Sequence, residues 1–272
     1  GILCTIAVLF IREPKRGATE LHNIGEQKRD GSAYLNILKS PTMRWIIISG
    51  AVHNFNMYAI AAFITPFLMR YHGLDIQQAN LVAMLVYGVM GAPGLLIGGY
   101  IGDAMMKKRA NGRLLVGAVA ILFSIPTVYF ALAVPKGSTT TFLILMGAAC
   151  ALMYFYYATV YSTIQDVTEP ALRGTAMAVY FFAMYVLGAS LGPYGTGLLS
   201  DLFTKRAAQA AGIMEISQTA LEPFRADGLH SAMFIIPILA AILTVVLFAA
   251  SRTVSKDVEK LQAWMRESTP QK

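Results

Sequence analysis

The sequence predicts an all-α membrane protein with six transmembrane helices. Of its 272 residues, 56% are hydrophobic and only 14% are charged, whereas a soluble domain carries about 25% charged residues. Six apolar runs are long enough to cross a bilayer, which takes roughly 20 residues in a helix. The polar stretches between them alternate between rich and poor in Lys and Arg, as expected of a chain that crosses a membrane repeatedly. Because the net charge of +7 is dispersed over these stretches, we expect no nucleic-acid partner.

The six spans follow one another with short polar connections. The start of span one carries the residues that favour a helix beginning at a membrane interface. Ser40 can cap the helix, Pro41 suits its first turn and Trp45 suits the membrane interface. Prolines inside later spans are compatible with membrane helices, since neighbouring groups satisfy the carbonyls that they free. We place spans one to six near residues 43–69, 79–102, 114–134, 141–164, 174–199 and 231–250.

The chain divides into four parts. Residues 1–11 are apolar but too short to cross a bilayer, and we interpret them as the end of a truncated preceding transmembrane helix. Residues 12–42 form a cytoplasmic linker with a short amphipathic helix near 33–39 (the linker helix), which Ser32 can cap. Residues 43–250 form the six-helix bundle, and residues 251–272 form a cytoplasmic amphipathic tail. The linker helix and the tail are expected on the membrane surface through two apolar faces, made by Tyr34, Leu35 and Leu38 and by Val254, Val258, Leu261 and Met265.

The distribution of Lys and Arg predicts the orientation. Seventeen of the 22 lie on the side that holds the linker, the loop after span two, the loop after span four and the tail. Cytoplasmic loops carry the excess of these residues. The linker, the loop at 103–113 and the tail are therefore expected in the cytoplasm, with the protein in the plasma (inner) membrane.

Small residues recur at every fourth position in two spans. Gly94 and Gly98 precede Gly102 in span two, and Gly188 and Gly192 precede Thr196 and Ser200 in span five. Such a stripe allows two membrane helices to approach closely, so these residues are predicted to serve helix packing. Pro193 is predicted to kink span five.

Asp103 ends span two, just before a basic loop. An acid is unfavourable there, because the C-terminus of a helix carries partial negative charge. Arg109 or Arg113, or the N-terminus of a neighbouring helix, could compensate it, and an ordinary solvated charge is the alternative.

The stretch "GGYIGDAMMKKRANGR" resembles the loop motif of the major facilitator superfamily, with a longer insertion after the acid than usual. The residues that carry the resemblance are Gly99, Gly102, Asp103, Arg109, Gly112 and Arg113. "GASLGP", residues 188–193, is similar to the glycine–proline motif in the fifth helix of each half of these transporters. The resemblance implies the C-terminal half of a twelve-helix transporter, built as two inverted three-helix repeats, whose partner is a missing N-terminal half. It also implies a cytoplasmic gate, in which Asp103 meets a helix of the missing half, while Arg173 and Gly174 receive that half's acid.

A narrower resemblance follows the truncated helix. "REPKRG", residues 12–17, and "LKSPTMRW", residues 38–45, are similar to signatures of the spinster-like transporters. The resemblance implies export or flipping of lysophospholipids or sphingoid lipids, driven by a proton gradient. Membrane lipids, a lipid-like or other small-molecule substrate and protons are then the expected partners.

Polar residues inside spans one and four are candidates for the substrate cavity, because such residues are costly in a membrane. They follow helical spacing, and tyrosine rings with polar tips suit an amphipathic ligand; packing between helices is the alternative. His53 is either a proton carrier or a structural histidine. With no acid–arginine pair inside a span, the titrating carboxylate is expected in the missing half. The candidates are His53, Asn54, Tyr58, Tyr154, Tyr157, Tyr161 and Gln165.

Two other functions remain open from the residues. A carrier of a sugar phosphate or small organic anion would need cationic residues facing its cavity, and no span carries one at mid-membrane. An intramembrane serine protease could use Ser190, inside a G-x-S-x-G pattern, with His53. That pattern normally requires a strand and a turn, so we do not expect an enzyme. Neither a cofactor nor a metal site is indicated.

Overall fold

The structure, a computed structural model, describes residues 33–213 and 217–267, and within these ranges all regular structure is helical. Six helical segments are long and apolar enough to cross a membrane. The predicted fold class is therefore confirmed. The truncated helix at 1–11, the linker up to Ser32 and residues 268–272 lie outside the described residues. Spans one to six are Pro41–His72, Ile76–Met106, Gly112–Leu132, Thr139–Val167, Pro170–Ala210 and Gln218–Arg266, and the linker helix is Ala33–Lys39.

Three spans are composite. Span two joins the α-helices Ile76–Met84 and Gly91–Met106 through the π-helical segment Leu85–Val89. Span five joins two α-helices in the same way, and span six is broken near its start. The pieces of span five are Pro170–Leu172, Arg173–Phe182, the π-helical segment Ala183–Ala189 and Leu191–Ala210; those of span six are Gln218–Leu221, Glu222–Phe224, Arg225–Met233 and Ile235–Glu267.

Both π segments have the same local cause. Pro93 and Pro193 each lie four residues beyond the end of a π segment. Proline has no N–H to bond the carbonyl four residues earlier, which is here the last carbonyl of the π segment. The helix widens just before this break, as π turns do. Spans two and five, the middle spans of the two predicted three-helix repeats, thus carry the same interruption.

The glycine stripe of span two lies against span four. A Cβ on Gly94 would be 2.1 Å from the carbonyl oxygen of Ala151, and one on Gly98 would be 2.7 Å from the Cα of Phe155. No side chain larger than hydrogen fits such distances. The stripe therefore sets how closely these two spans approach, which is the packing mode expected in membranes.

The stripe of span five lies against span one in the same way. A Cβ on Gly188 would be 2.5 Å from the carbonyl oxygen of Ala51, and one on Gly192 would be 2.5 Å from that of Phe55. Further along span five, Thr204 packs against Gly228 of span six. Span one thus has span five on one side, while span six also packs along it.

Span one starts where the sequence predicts. The backbone N–H of Met43 donates to the Ser40 hydroxyl at 3.2 Å, and Pro41 occupies the first turn. Gly73 ends the helix with a φ of 73°, a left-handed conformation that glycine adopts without strain. The helix is longer than the predicted apolar span 43–69, because the caps at Ser40 and Gly73 stabilise its polar ends.

The tail differs from the sequence expectation. Instead of a separate helix on the membrane surface, it continues span six to Glu267, and its apolar side chains Val254 and Leu261 are buried against the bundle. Asp257 accepts from the Ser40 hydroxyl at 2.7 Å and from the Thr42 N–H at 3.0 Å. A carboxylate is favoured at a helix N-terminus, so polar contacts draw the tail onto the start of span one.

The linker helix exposes Tyr34, Leu35 and Leu38, the face predicted to be apolar, while Ile37 is the residue that it buries in the core. The end of the bundle that holds this helix, the loop 103–113, residues 165–173 and the tail is called the basic end below.

Candidate functional site

A cavity of about 690 Å³ opens on one side of the bundle at mid-span. Spans one, two, four and five line it. Five of the seven predicted cavity residues lie in its wall: Asn54, Tyr58, Tyr154, Tyr157 and Tyr161. The helical spacing of the tyrosines in span four brings them to one face, which is why sequence reasoning could find them.

One hydrogen bond joins the two walls that the sequence predicted. The Tyr157 hydroxyl of span four donates to the Asn54 side-chain oxygen of span one at 2.9 Å. The amide group of Asn54 in turn donates to the carbonyl of Met184 in span five at 3.4 Å. Asn54 therefore links three spans at the cavity wall.

His53 and Gln165 are placed elsewhere. His53 is fully buried behind the wall, stacked on Tyr156 with 3.9 Å between ring centroids and edge-on to Tyr157 at 4.8 Å. Gln165 lies in the last turns of span four at the basic end, where its carbonyl accepts from Arg173 at 3.2 Å. The spacing that links Gln165 to the tyrosines is correct, but span four has left the cavity by that turn.

The wall also contains residues that the sequence analysis did not select: Ala61, Tyr87, Leu95, Ala158, Ser162, Met184 and Tyr185. Tyr87 donates to the carbonyl of Met57 at 2.6 Å, and Tyr185 packs edge-on to Tyr58 with 6.3 Å between centroids. Tyr87, Met184 and Tyr185 all lie in π segments. The signal that could have found them is a tyrosine placed six to eight residues before a mid-span proline.

The lining is polar but uncharged. It contains six tyrosines, one asparagine and one serine, and no acidic residue, lysine, arginine or histidine. Among the described residues, the hydroxyls of Tyr58, Tyr154 and Tyr185 form no hydrogen bond with the protein. These hydroxyls are consequently available to a ligand, while the Tyr87 and Tyr157 hydroxyls already hold the wall together.

A second polar cluster lies at the basic end. Arg113, in the first turn of span three, donates from Nε to Asp103 at 2.9 Å and also bonds Asp166 of span four. Asp103 is 61% exposed, whereas the side chains of Arg113 and Asp166 are mostly covered. Arg113 thus compensates the acid at the end of span two, while Arg109 points to solvent. Asp166 was not predicted, although an acid one turn before the "EPALRG" break was available as a signal.

The glycines of the loop motif differ in how closely other residues pack against them. Gly112 leaves no room for a Cβ, which would lie 2.5 Å from the backbone of Met105, and at Gly102 one would lie 3.2 Å from Thr159. Gly99 has ordinary space around it, and Gly174 has open space. Arg173 begins the first α-helix of span five.

The protease arrangement is not formed. Ser190 is exposed within span five, where its hydroxyl donates to the carbonyl of Tyr185 at 3.1 Å. Among the described residues, no strand lies next to Ser190, and His53 forms no hydrogen bond with it. The nucleophile elbow that the pattern requires is therefore not formed. No cluster of three or more potential metal ligands occurs in the described part of the chain.

Comparison with known proteins identifies the family. The Major Facilitator Superfamily matches residues 1–193. An MFS-type efflux pump of Mycolicibacterium smegmatis is 27% identical over 185 residues, covering 68% of this chain and 42% of that protein. The sphingosine-1-phosphate transporter SPNS2 of Danio rerio is 25% identical over 211 residues, covering 72% and 42%. The chain therefore spans about two fifths of the length of these relatives.

The fold has a counterpart among solved structures. The crystal structure of a bacterial homolog to the human lysosomal transporter Spinster, in an inward-facing and unoccupied conformation, superposes with a TM-score of 0.69 at 25% identity. The match covers 94% of this chain and 57% of that one, so nearly every described helix has an equivalent. Six spans, the glycine-and-aspartate loop motif and these similarities lead to one conclusion: the chain belongs to the major facilitator superfamily and is similar to its spinster members.

Proposed function

We propose that this chain is the C-terminal half of a secondary active transporter that moves lysophospholipids or sphingoid lipids by alternating access, coupled to protons. One observation carries the proposal: a mid-span cavity with a wall of six tyrosines and an asparagine and without a charged side chain. The other wall belongs to a partner half, so this half alone should not transport.

The wall suits an amphipathic molecule. Tyrosine presents an apolar ring with a polar tip, and three of the hydroxyls have no partner among the described residues. Leu95, Met184 and two alanines supply apolar surface between the rings. A headgroup can therefore bond to the hydroxyls while an acyl chain lies along rings and methylene groups.

Relatives support the same substrate class. The Danio rerio relative is a sphingosine-1-phosphate transporter, and the Mycolicibacterium smegmatis relative is an efflux pump. The first favours a lipid with a single chain, and the second favours export.

The second candidate is a carrier of a sugar phosphate or small organic anion. Such substrates are bound by arginine or lysine at short distance. This wall offers neither, so a small anion would have to be held entirely by the partner half. The rings and apolar side chains of this wall make the lipid the better substrate for this half, because an acyl chain can lie against them and a sugar phosphate has no such chain.

The cluster at the basic end is proposed as half of a gate, with the basic end cytoplasmic. Arg113 holds Asp103 at the end of span two, and the exposed carboxylate is open to contact from the partner half. The N-terminus of a partner helix would attract it. Opening of the basic end would then break that contact.

The test uses the full-length protein in liposomes with an imposed pH gradient. A fluorescent lysophospholipid and a sphingoid base are followed across the bilayer, with a sugar phosphate as the competing substrate. Gradient-dependent lipid movement supports the proposal. Robust sugar phosphate movement without lipid activity would reject it and favour the second candidate.

A further inference from the structure

His53 is a fully enclosed ionisable residue of the mid-span region. Its side chain is 0% exposed, and neither ring nitrogen has a hydrogen-bond partner among the described residues. Buried polar groups are almost always bonded. A neutral imidazole carries one N–H donor and one lone-pair acceptor, and the described contacts of His53 satisfy neither.

The surroundings of the ring are polar but uncharged. Tyr156 stacks on His53, and its hydroxyl is held by Ser49 at 2.7 Å and by Tyr180 at 3.1 Å. Tyr157 covers the ring edge-on. Residues 45–69, 139–165, 174–200 and 231–251, the membrane portions of the spans that pack around it, contain no Asp, Glu, Lys or Arg. No fixed counter-charge therefore stands beside the ring, and no ion pair explains its presence.

The Tyr157 side chain lies between the His53 ring and the cavity. Tyr157 touches His53 on one side and lines the 690 Å³ cavity on the other. Its hydroxyl is tied to Asn54, the residue next to His53 in the chain. If a ligand displaces the Tyr157–Asn54 bond, the tyrosine is free to turn about its side-chain torsions, and water from the cavity reaches the imidazole.

We propose that His53 is a proton-binding residue of this half, enclosed by Tyr157 and opened to cavity water when the Tyr157–Asn54 hydrogen bond breaks. Water on one side of the membrane delivers the proton to a ring nitrogen, and water on the other side takes it back, so the imidazole returns to its starting form. The inference rests on the proposed transport function and names a carrier of the coupling ion in this half.

The geometry makes the step conditional on opening. An imidazolium enclosed without a counter-charge is strongly disfavoured in a low-dielectric interior, whereas histidine in contact with water changes charge between about pH 5 and 8. Proton binding is thereby linked to the same bond that a ligand disturbs. A purely structural histidine would instead need a partner for its ring, which the described contacts do not supply.

The first experiment does not depend on transport. Nitrogen NMR of the full-length protein with isotopically labelled histidine follows the His53 signal, assigned as the one missing in His53→Gln. In Tyr157→Ala, which uncovers the ring, His53 should titrate between about pH 5 and 8; in the wild type its titration should require a saturating lipid ligand. A His53 signal that never titrates, in either protein and with ligand present, overturns the proposal.

The second experiment separates coupling from binding. In liposomes, His53→Gln should lower uptake driven by a pH gradient by about tenfold or more, within the usual range for coupling between two sites, while lipid exchange at equal pH persists. His230→Gln is the matched control, because His230 bonds the Leu132 carbonyl far from the cavity, and its gradient-driven uptake should match the wild type. Equal loss of exchange and of gradient-driven uptake in a folded His53→Gln protein overturns the inference, since it indicates a structural role.

The same assay separates failure of the proposed transport function from failure of the proposed role of His53. Wild-type protein that moves no lipid at all contradicts the proposed function. Lipid movement that responds to the gradient as strongly in His53→Gln as in wild type leaves the proposed function in place and rejects His53 as the proton carrier.

Discussion

Arg113 holds Asp103 at 2.9 Å across the loop between spans two and three, and the same guanidinium bonds Asp166 of span four. One cation therefore fastens the ends of three spans at the basic end. Asp103 remains 61% exposed despite this contact, so the bond itself is screened by solvent and contributes little to stability. Its value lies in the orientation of a carboxylate that faces outward from the bundle.

The first prediction follows from that exposure. Asp103→Asn keeps the shape of the side chain but removes the charge that would meet a helix N-terminus, which is worth about 1 kcal/mol. In the full-length protein, the state closed at the basic end should lose population while the thermal stability of the bundle hardly changes. Cysteines placed along the basic end should label faster in this variant. Asp201→Asn, at an exposed acid of span five, should label like the wild type; equal labelling of all three proteins would make Asp103 a simple surface charge.

The second prediction concerns the cavity. Asn54→Ala removes the acceptor of the Tyr157 hydroxyl, and Tyr161→Ala removes one ring of the wall. Each loses a buried hydrogen bond or a large contact with the ligand, worth on the order of 1 kcal/mol or more, so lipid movement should slow by roughly five- to tenfold. Tyr129→Phe, at an exposed tyrosine of span three outside the cavity, is the control. Transport rates in liposomes decide: unchanged rates in both cavity variants would remove these residues from the substrate site.

The third prediction compares two glycines that both lie in π segments. Gly188→Ala places a Cβ 2.5 Å from the Ala51 carbonyl, whereas Gly88→Ala meets nothing within 4 Å. Overpacking costs about 1–3 kcal/mol, so Gly188→Ala should lower the melting temperature of the purified protein and Gly88→Ala should not. Equal melting of the two variants would show that spans one and five can separate without cost.

The fourth prediction addresses the tail. Asp257→Ala removes the acceptor for the Ser40 hydroxyl and the Thr42 N–H, and losing a helix cap costs about 1 kcal/mol. Asp257→Asn retains an acceptor and should lose less, while Glu259→Gln, an exposed neighbour on the same helix, should be neutral. Limited proteolysis of the tail, residues 251–267, measures the effect. Cleavage at the wild-type rate in Asp257→Ala would mean that apolar burial of Val254 and Leu261 alone holds the tail.

The sequence was sufficient for the spans and for five of the twelve residues that line the cavity, and the reasons are physical. Long apolar runs have few alternatives to membrane helices, and the tyrosines of span four share a face because an α-helix repeats every 3.6 residues on average. The end of span six was not predictable from hydropathy, because polar residues such as Asp257 extend the helix by bonding another part of the chain. Tyr87 and Tyr185 were missed since a π turn rotates the following side chains away from the regular spacing. Gln165 follows the helical spacing of the tyrosines in span four, but it lies beyond the part of the span that lines the cavity.

The two π segments give the cavity a variable shape. The proline beyond each π turn leaves one carbonyl without its usual donor, and helices bend at prolines and at π turns. Tyr87, Met184 and Tyr185 lie within these turns. The compliant points of spans two and five are thus also surfaces that a ligand touches. A molecule bound between Tyr87 and Tyr185 would restrict bending of both helices at once. An inhibitor of this kind would block the conformational change without competing for the headgroup contacts.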